Sequence, residues 1–274
     1  LPSSFYAEFA HAALEREIER LRAQVNIGWD KERRVLAESG LRDGLSLAEV
    51  GSGPCLFAEA VIAQYPRIRV TAIDYDHLLL SRSRQHIAPA MLANVRLLCA
   101  SAADIGIASN TFDFALARFT LQHLPDPVSA VREMYRVLKP GGGCVIIDSD
   151  DGLGTLFSPP LQAMNKIALK ISLAQAFQGG NRRIGRRLWR ILHEAGFCDL
   201  TFDSLSLHSD EVGLEAFRAL FNPEYLLPLI ESGLITQEEW EEARQSLEQF
   251  FANPDSLIID QRLIVRGVKP QAEA

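Results

Sequence analysis

The sequence predicts an α/β protein built on a doubly wound, open sheet, and three observations carry that expectation. Short apolar runs alternate with amphipathic helical stretches along residues 1–150, a pattern that implies parallel strands with helices on both faces. The first such strand runs into a tight Gly51-Ser52-Gly53-Pro54 turn before a helix. The second strand ends on Asp74, about 20 residues after that turn, the position from which a carboxylate reaches a ribose in a sheet of this kind.

The elements follow in order. Residues 5–41 read as helical, with Leu14, Ile18, Leu21 and Val25 at three- and four-residue spacing. Asp43-Gly44 is a turn, 46–50 a strand and 57–64 a helix that stops before Tyr65-Pro66. A strand at 69–73, a helix at 78–87, strands at 95–99 and 112–118 and a helix at 128–138 continue the alternation. Lys139-Pro140-Gly141-Gly142-Gly143 reads as a turn before a strand at 144–148. Beyond it the rhythm changes: helices at 161–177 and 184–195 and a helical stretch over 211–252 accompany two further strands, 200–207 and 260–268. No linker, repeat or low-complexity tract divides the chain, so residues 1–274 are expected to form one domain. Residues 1–42 would be N-terminal cap helices, and 153–182 and 210–255 lid insertions.

Composition narrows the function classes. With 274 residues, 47% of them apolar and 23% charged, the chain buries a large core without disulfides or metal staples. A net charge of −7 argues against nucleic acid as a partner, because a phosphate backbone demands a basic footprint. No apolar run approaches the ~18 residues of a membrane span. Cys55, Cys99, Cys144 and Cys198 are widely spaced, without a paired or histidine-flanked pattern, so no metal site is expected. Free thiols in apolar strand-like runs and the lack of a signal-like start point to a cytoplasmic protein, with self-association into a homodimer left open.

Two ligand classes compete for the glycine turn. A dinucleotide fingerprint needs a glycine at 56, where this chain has Leu56. Glu49, two residues before the first glycine, is expected instead in a loop that binds S-adenosylmethionine; a tight βα turn with no ligand is the plainer alternative.

Five stretches then resemble, in order and spacing, the class I S-adenosylmethionine-dependent methyltransferases, in the small-molecule branch that includes the ubiquinone and menaquinone enzymes. They are residues 49–55 (EVGSGPC), 73–74, 101–105, 111–126 (TFDFALARFTLQHLPD) and 136–142 (RVLKPGG); residues 184–197 and the closing strand also match. The resemblance implies a seven-stranded sheet of order 3-2-1-4-5-7-6, the last strand antiparallel. It implies that Glu49, Gly51, Ser52 and Gly53 approach the methionine part of S-adenosylmethionine and that Asp74 takes the ribose hydroxyls. Tyr75 would lie against the adenine, with Ser101 and Ala102 beside it and Arg118 and Phe119 under the sulfonium. Gln24, in an Arg20-Leu21-x-x-Gln24 pattern of the first helix, would sit over the cofactor or else on an exposed face. The chain departs from the family at Ser101, which replaces an aspartate, with Asp104 one turn on as a compensating acid. It departs again at Cys55, which stands where a third glycine is usual and is not expected to be a nucleophile.

Methyl transfer to oxygen or to an acidic carbon also needs a proton removed, usually by histidine or a carboxylate. His123, after the fourth strand, and Asp150, in the Asp148-Ser149-Asp150-Asp151 run after the fifth, are the catalytic candidates. A structural histidine and a solvated turn are the plainer alternatives. His11, His77, His86, His193 and His208 are less well placed. Gly179-Gly180-Asn181-Arg182-Arg183 would form a basic rim, and Tyr6 and Trp29 are aromatic candidates for a lid. The expected activity is methyl transfer to a small-molecule substrate of quinone or specialised metabolism. A cyclase or decarboxylase using the same cofactor pocket, and a non-catalytic partner subunit, are the alternatives.

Overall fold

A computed structural model describes residues 10–271. Its centre is one mixed sheet, and the strands are apolar on both sides because helices cover both faces. The parallel part comprises β1 (Ser46–Val50), β2 (Arg69–Asp74), β3 (Val95–Cys99), β4 (Phe112–Arg118) and β5 (Leu138–Asp148). After β5 come the short β6 (Thr155–Ser158), then β7 (Cys198–His208) and the long antiparallel β8 (Leu257–Val268). The order is β3-β2-β1-β4-β5-β8, with β7 on the far edge of β8. That is the expected seven-strand order, with β6 added. The added strand comes from segment 153–182, where the sequence predicts a lid insertion and no strand: Thr155–Ser158 pairs with Leu257 to Asp260, the part of β8 that extends past its pairing with β5.

Period-two alternation divides the core. Leu47, Phe114, Leu116, Val145, Ile147 and Ile264 face α1 (Ala10–Glu38) and α2 (Leu56–Gln64). Ala48, Val50, Ala115, Ala117, Cys144, Ile146 and Val265 face α4 (Pro127–Val137) and α6 (Leu188–Glu194). α3 (His77–His86) starts at Asp76, whose side chain accepts from the backbone N–H groups of Leu78 and Leu79. Asp126 caps α4 through Ser129 N–H, with Pro127 at the first helical position. The glycine run read as a turn is an irregular start to β5, where the register with β4 slips between Phe112–Leu138 and Phe114–Gly143.

Among the described residues of the N-terminal cap, α1 is one helix of 29 residues. The lid segments form α5 (Gln162–Phe177), α7 (Ser209–Val212), α8 (Leu214–Arg218), α9 (Leu227–Glu231) and α10 (Gln237–Ala252). α10 opens with a capping box between Thr236 and Glu239. α5, α9 and α10 share a small core of Ala163, Ile167, Leu229, Ile235 and Ala243, so the two insertions pack on each other. Lys170 on α5 pairs with Glu239 on α10 at 2.7 Å across that contact.

Candidate cofactor cleft

The cleft is built at the carboxyl ends of β1, β2 and β4, where an open α/β sheet leaves room for a ligand. Val50 leads into Gly51, whose φ of 73° is left-handed and whose missing Cβ matters twice over. A Cβ there would stand 2.2 Å from Thr120 Oγ1, the hydroxyl that donates to Val50 O at 3.1 Å. Gly51 and Ser52 N–H groups both donate to Ile73 O, tying the loop to the end of β2. Gly53 N–H donates to Asp74 Oδ2 at 2.7 Å, and Asp76 N–H donates to Oδ1 at 2.9 Å. Cys55 is left-handed too, at φ 59°, which explains why a glycine suits this position. Its thiol is fully buried and burial pushes it up to about 12, so it is no nucleophile.

Glu49 follows Leu47 on the α1 side of β1, and its Oε2 is buried without a hydrogen-bond partner. Burial raises its pKa to about 8, against the lowering pull of Arg118. Arg118, at the end of β4 on the same face, is committed elsewhere. It donates to Glu32 at 3.0 Å and to Gln24 O at 3.0 Å, and it lies 5.0 Å over the Phe57 ring and 4.8 Å over Phe119. Arg262 on β8 meets Glu32 from the other side, also donates to Gln24 O at 3.2 Å, and covers Phe119 at 5.4 Å. Burial would raise the Glu32 pKa, but the two guanidiniums outweigh it and hold the carboxyl below its ordinary value. Phe119, at φ 51°, therefore has two cations against its ring where it lines the cavity.

A cavity of about 1060 Å³ runs from this loop to the lid, above the usual ~300–1,000 Å³ range for ligand sites. All the expected site residues line it: Gln24, Glu49, Gly51, Ser52, Gly53, Asp74, Tyr75, Ser101, Ala102, Arg118, Phe119, His123 and Asp150. Asp104 does not. It lies in the tight turn closed by Asp104 N–H on Ser101 O, so it does not replace the missing aspartate from within the cavity. The far wall is apolar and comes from the lid: Leu21, Met164, Ile171, Phe221, Leu226 and Leu229.

The catalytic candidates meet different surroundings. Asp150 accepts from Arg186 Nε and Nη2, both at 2.7 Å, and from Gly152 N–H at 2.9 Å. Burial raises its pKa, but Arg186 more than offsets this and keeps it below its ordinary value. Its lone pairs are spent fastening the rim loop, which makes it a poor base. Asp151 likewise pairs with Arg182 at 2.8 Å, and Arg182 supplies the basic rim expected of the 179–183 run. The Asp148 side chain is fully buried, burial lifting its pKa to about 7; it accepts from the N–H groups of Ser149 and Gln122 and so shapes the turn after β5. His123 lines the cavity, with burial first and then Arg182 and Arg20 lowering its pKa to about 3. Trp29 packs edge-on against Phe57 at 5.4 Å and is a core residue. His77, His193 and His208 lie away from the cavity wall; Tyr6 and the side chains of His11 and His86 fall outside the described residues.

Sequence reasoning missed Gln175, which lines the cavity, and the buried Glu32–Arg262 pair, which does not line it but holds Gln24 O and Phe119. The signal for Arg262 was present: on β8 it shares a face with the buried Ile264, and a charge at an inward strand position calls for a partner.

Comparison with known proteins agrees with this geometry. Residues 48–146 match a family model described as "Methyltransferase domain". The chain is 31% identical to a demethylmenaquinone methyltransferase of Listeria monocytogenes over 127 residues, 46% of this chain and 53% of that protein. It thus spans about half the length of the curated relatives it matches. Among solved structures, a phosphoethanolamine N-methyltransferase 2 of Haemonchus contortus, in complex with phosphomonomethylethanolamine and S-adenosylhomocysteine, superposes with a TM-score of 0.63 at 19% identity, covering 98% of this chain and 61% of that one. The [4+2]-cyclase SpnF shares the fold with a TM-score of 0.57 at 20% identity, covering 89% and 82% of the two chains. Residues 48–146 thus match a methyltransferase domain, and the chain shares the fold of S-adenosylmethionine-dependent methyltransferases.

The residues present fit that family's cofactor. An unpartnered buried carboxylate oxygen on Glu49 suits the ammonium of a methionine tail, and the left-handed glycine turn leaves backbone exposed where a side chain would block a ligand. Among the described residues no cluster able to hold a metal ion is present, and no helix is long and apolar enough to cross a membrane.

Proposed function

We propose that this protein transfers a methyl group from S-adenosylmethionine to a small, largely apolar acceptor carrying a ring oxygen, of the quinone type. The observation that carries the reading is the polarity of this cavity: carboxylates and backbone amides at one end, lid side chains at the other. In this reading Glu49 holds the cofactor's ammonium, Asp74 its ribose hydroxyls, and Tyr75, Ser101 and Ala102 border the adenine. Gln24, Arg118 and Phe119 close the floor and wall near the sulfonium. When bound, the cofactor supplies an electrophilic methyl carbon on a positively charged sulfur. The chain's own contribution is to exclude water with α1, α5 and the 210–255 lid and to hold the acceptor within ~3–3.5 Å of that carbon. The likeness to demethylmenaquinone methyltransferase supports a quinol as acceptor.

Incubation with S-adenosylmethionine and a panel of naphthohydroquinones, read by mass spectrometry, tests the reading. Products heavier by one methylene, about 14 Da, support it; conversion at unchanged mass favours a cyclase in the same cleft, which the SpnF likeness keeps as the second reading. No conversion of any panel member contradicts the acceptor class.

A further inference from the structure

We propose that Gln175 locks His123 in the tautomer protonated at Nε2, so that the one accepting nitrogen of the neutral ring is occupied and the histidine does not take the acceptor's proton. The inference starts from one amide. The Gln175 side chain is buried at 2% exposure, and a single one of its atoms meets two neighbours: Gln122 O at 2.7 Å and His123 Nδ1 at 3.2 Å. Amide nitrogen and oxygen are told apart only by their partners. Here the partner decides, because a backbone carbonyl can only accept, so the atom beside Gln122 O is the amide nitrogen. Its second hydrogen then points to His123 Nδ1, which must be the unprotonated ring nitrogen. The proton of the neutral ring is on Nε2.

The surrounding chain fixes this arrangement. Gln122 O also accepts from Asn181 N–H at 2.7 Å, and Gly180 N–H donates to Gln175 O at 2.9 Å. A Cβ on Gly180 would stand 2.7 Å from both Gln122 O and Gln175 Cγ, so the loop after α5 closes over the pair only as glycine. Burial above all, then positive charge from Arg182 of that same loop and from Arg20 of α1, keeps the ring neutral. Asp150 and Asp151, the rim carboxylates, each hold an arginine.

Resting on the proposed methyl transfer, the consequence is a substrate class: an acceptor acidic enough to ionise by itself, such as a hydroquinone or naphthol. Its proton leaves to solvent; its lone pair forms the bond to the methyl carbon as the carbon–sulfur bond breaks and that electron pair returns to sulfur.

The test is nitrogen-15 NMR of the imidazole rings in the ligand-free protein at neutral pH, with His123 assigned by its loss in His123→Gln. The expected spectrum shows a pyridine-type Nδ1 and a pyrrole-type Nε2. In Gln175→Glu the carboxylate accepts from the ring and the two types exchange places; in Gln175→Leu they average. A pyrrole-type Nδ1 in the wild type, or a pattern that neither variant changes, overturns the proposal. Because no cofactor or acceptor is used, this outcome is independent of whether methyl transfer occurs. With turnover in hand, the pH midpoint of kcat/KM shifts with the acidity of the acceptor across the hydroquinone panel. A midpoint indifferent to the acceptor reveals a base on the protein and overturns the substrate class.

Discussion

Glu32 and Arg262, 230 residues apart in the chain, form an ion pair in which both side chains are fully buried. The pair exists because α1 crosses the sheet face on which β8 presents Arg262 and β4 presents Arg118, so one helical carboxylate answers two strand guanidiniums. It fixes the carboxyl-terminal half of α1 to the sheet directly beside Phe119 and the cleft. Removing one member strands buried charge, so Glu32→Ala should destabilise the protein by about 3–5 kcal/mol. Urea denaturation measures this, and a change under ~1 kcal/mol would show the triad to be solvated.

Gly28 makes room for that pair. A Cβ there would lie 1.9 Å from Arg262 Nη1, with Glu32 Oε1 at 3.1 Å. Glycine to alanine inside a helix ordinarily gains up to ~1 kcal/mol of propensity. At this position displacement of the guanidinium outweighs the gain, and Gly28→Ala should lose about 1–3 kcal/mol. A raised Tm in the variant would mean that α1 does not seat on Arg262 as described.

Glu49 links stability to function through its proton. Its folded pKa of about 8 lies above the ordinary 4.5, so between those pH values the native state holds a proton that the unfolded chain lacks. Stability from this group is therefore lost as pH rises through that window. Glu49→Gln removes the effect and should make the ligand-free protein more stable than wild type by on the order of 2 kcal/mol at pH 8, with little difference at pH 4.5. The same variant should bind S-adenosylhomocysteine more weakly. In the wild type at pH 7, binding should release a proton, which calorimetry in buffers of different ionisation enthalpy detects.

The lid reading makes a mobility prediction with an internal control. Residues 14–24 of α1 line the cavity through Leu14, Glu17, Arg20, Leu21 and Gln24, whereas the stretch after Gln24 is anchored by Glu32. Amide exchange should slow on adding S-adenosylhomocysteine more in residues 14–24 than in the central strands or in residues 28–38. Uniform slowing along α1 would assign the whole helix to the static core.

How much of this was legible follows from distance along the chain. The Gly51–Gly53 turn and Asp74 were readable because the constraint is local: positive φ at the glycines and an acid at a strand end. The alternation of 46–148 betrayed the sheet because its strands are buried on both faces. β6 was not readable, since Thr155–Ser158 alternates between half-buried and exposed positions and pairs only because β8 extends past β5. Gln175 carries no local signal in its helical run; only its contacts with Gln122 and His123 show what the amide does. Asp150 read as a loose rim carboxylate because Arg186, 36 positions away, could not be placed beside it.

The central claim is that one nucleoside cofactor occupies the cleft between Glu49 and Asp74. Calorimetric titration of the protein with S-adenosylhomocysteine tests it most directly, in parallel with Asp74→Ala. The account predicts saturable one-to-one binding that Asp74→Ala weakens by about 1–3 kcal/mol, the worth of charge-assisted hydrogen bonds to ribose hydroxyls. No heat at millimolar ligand, or binding that Asp74→Ala leaves unchanged, would contradict it.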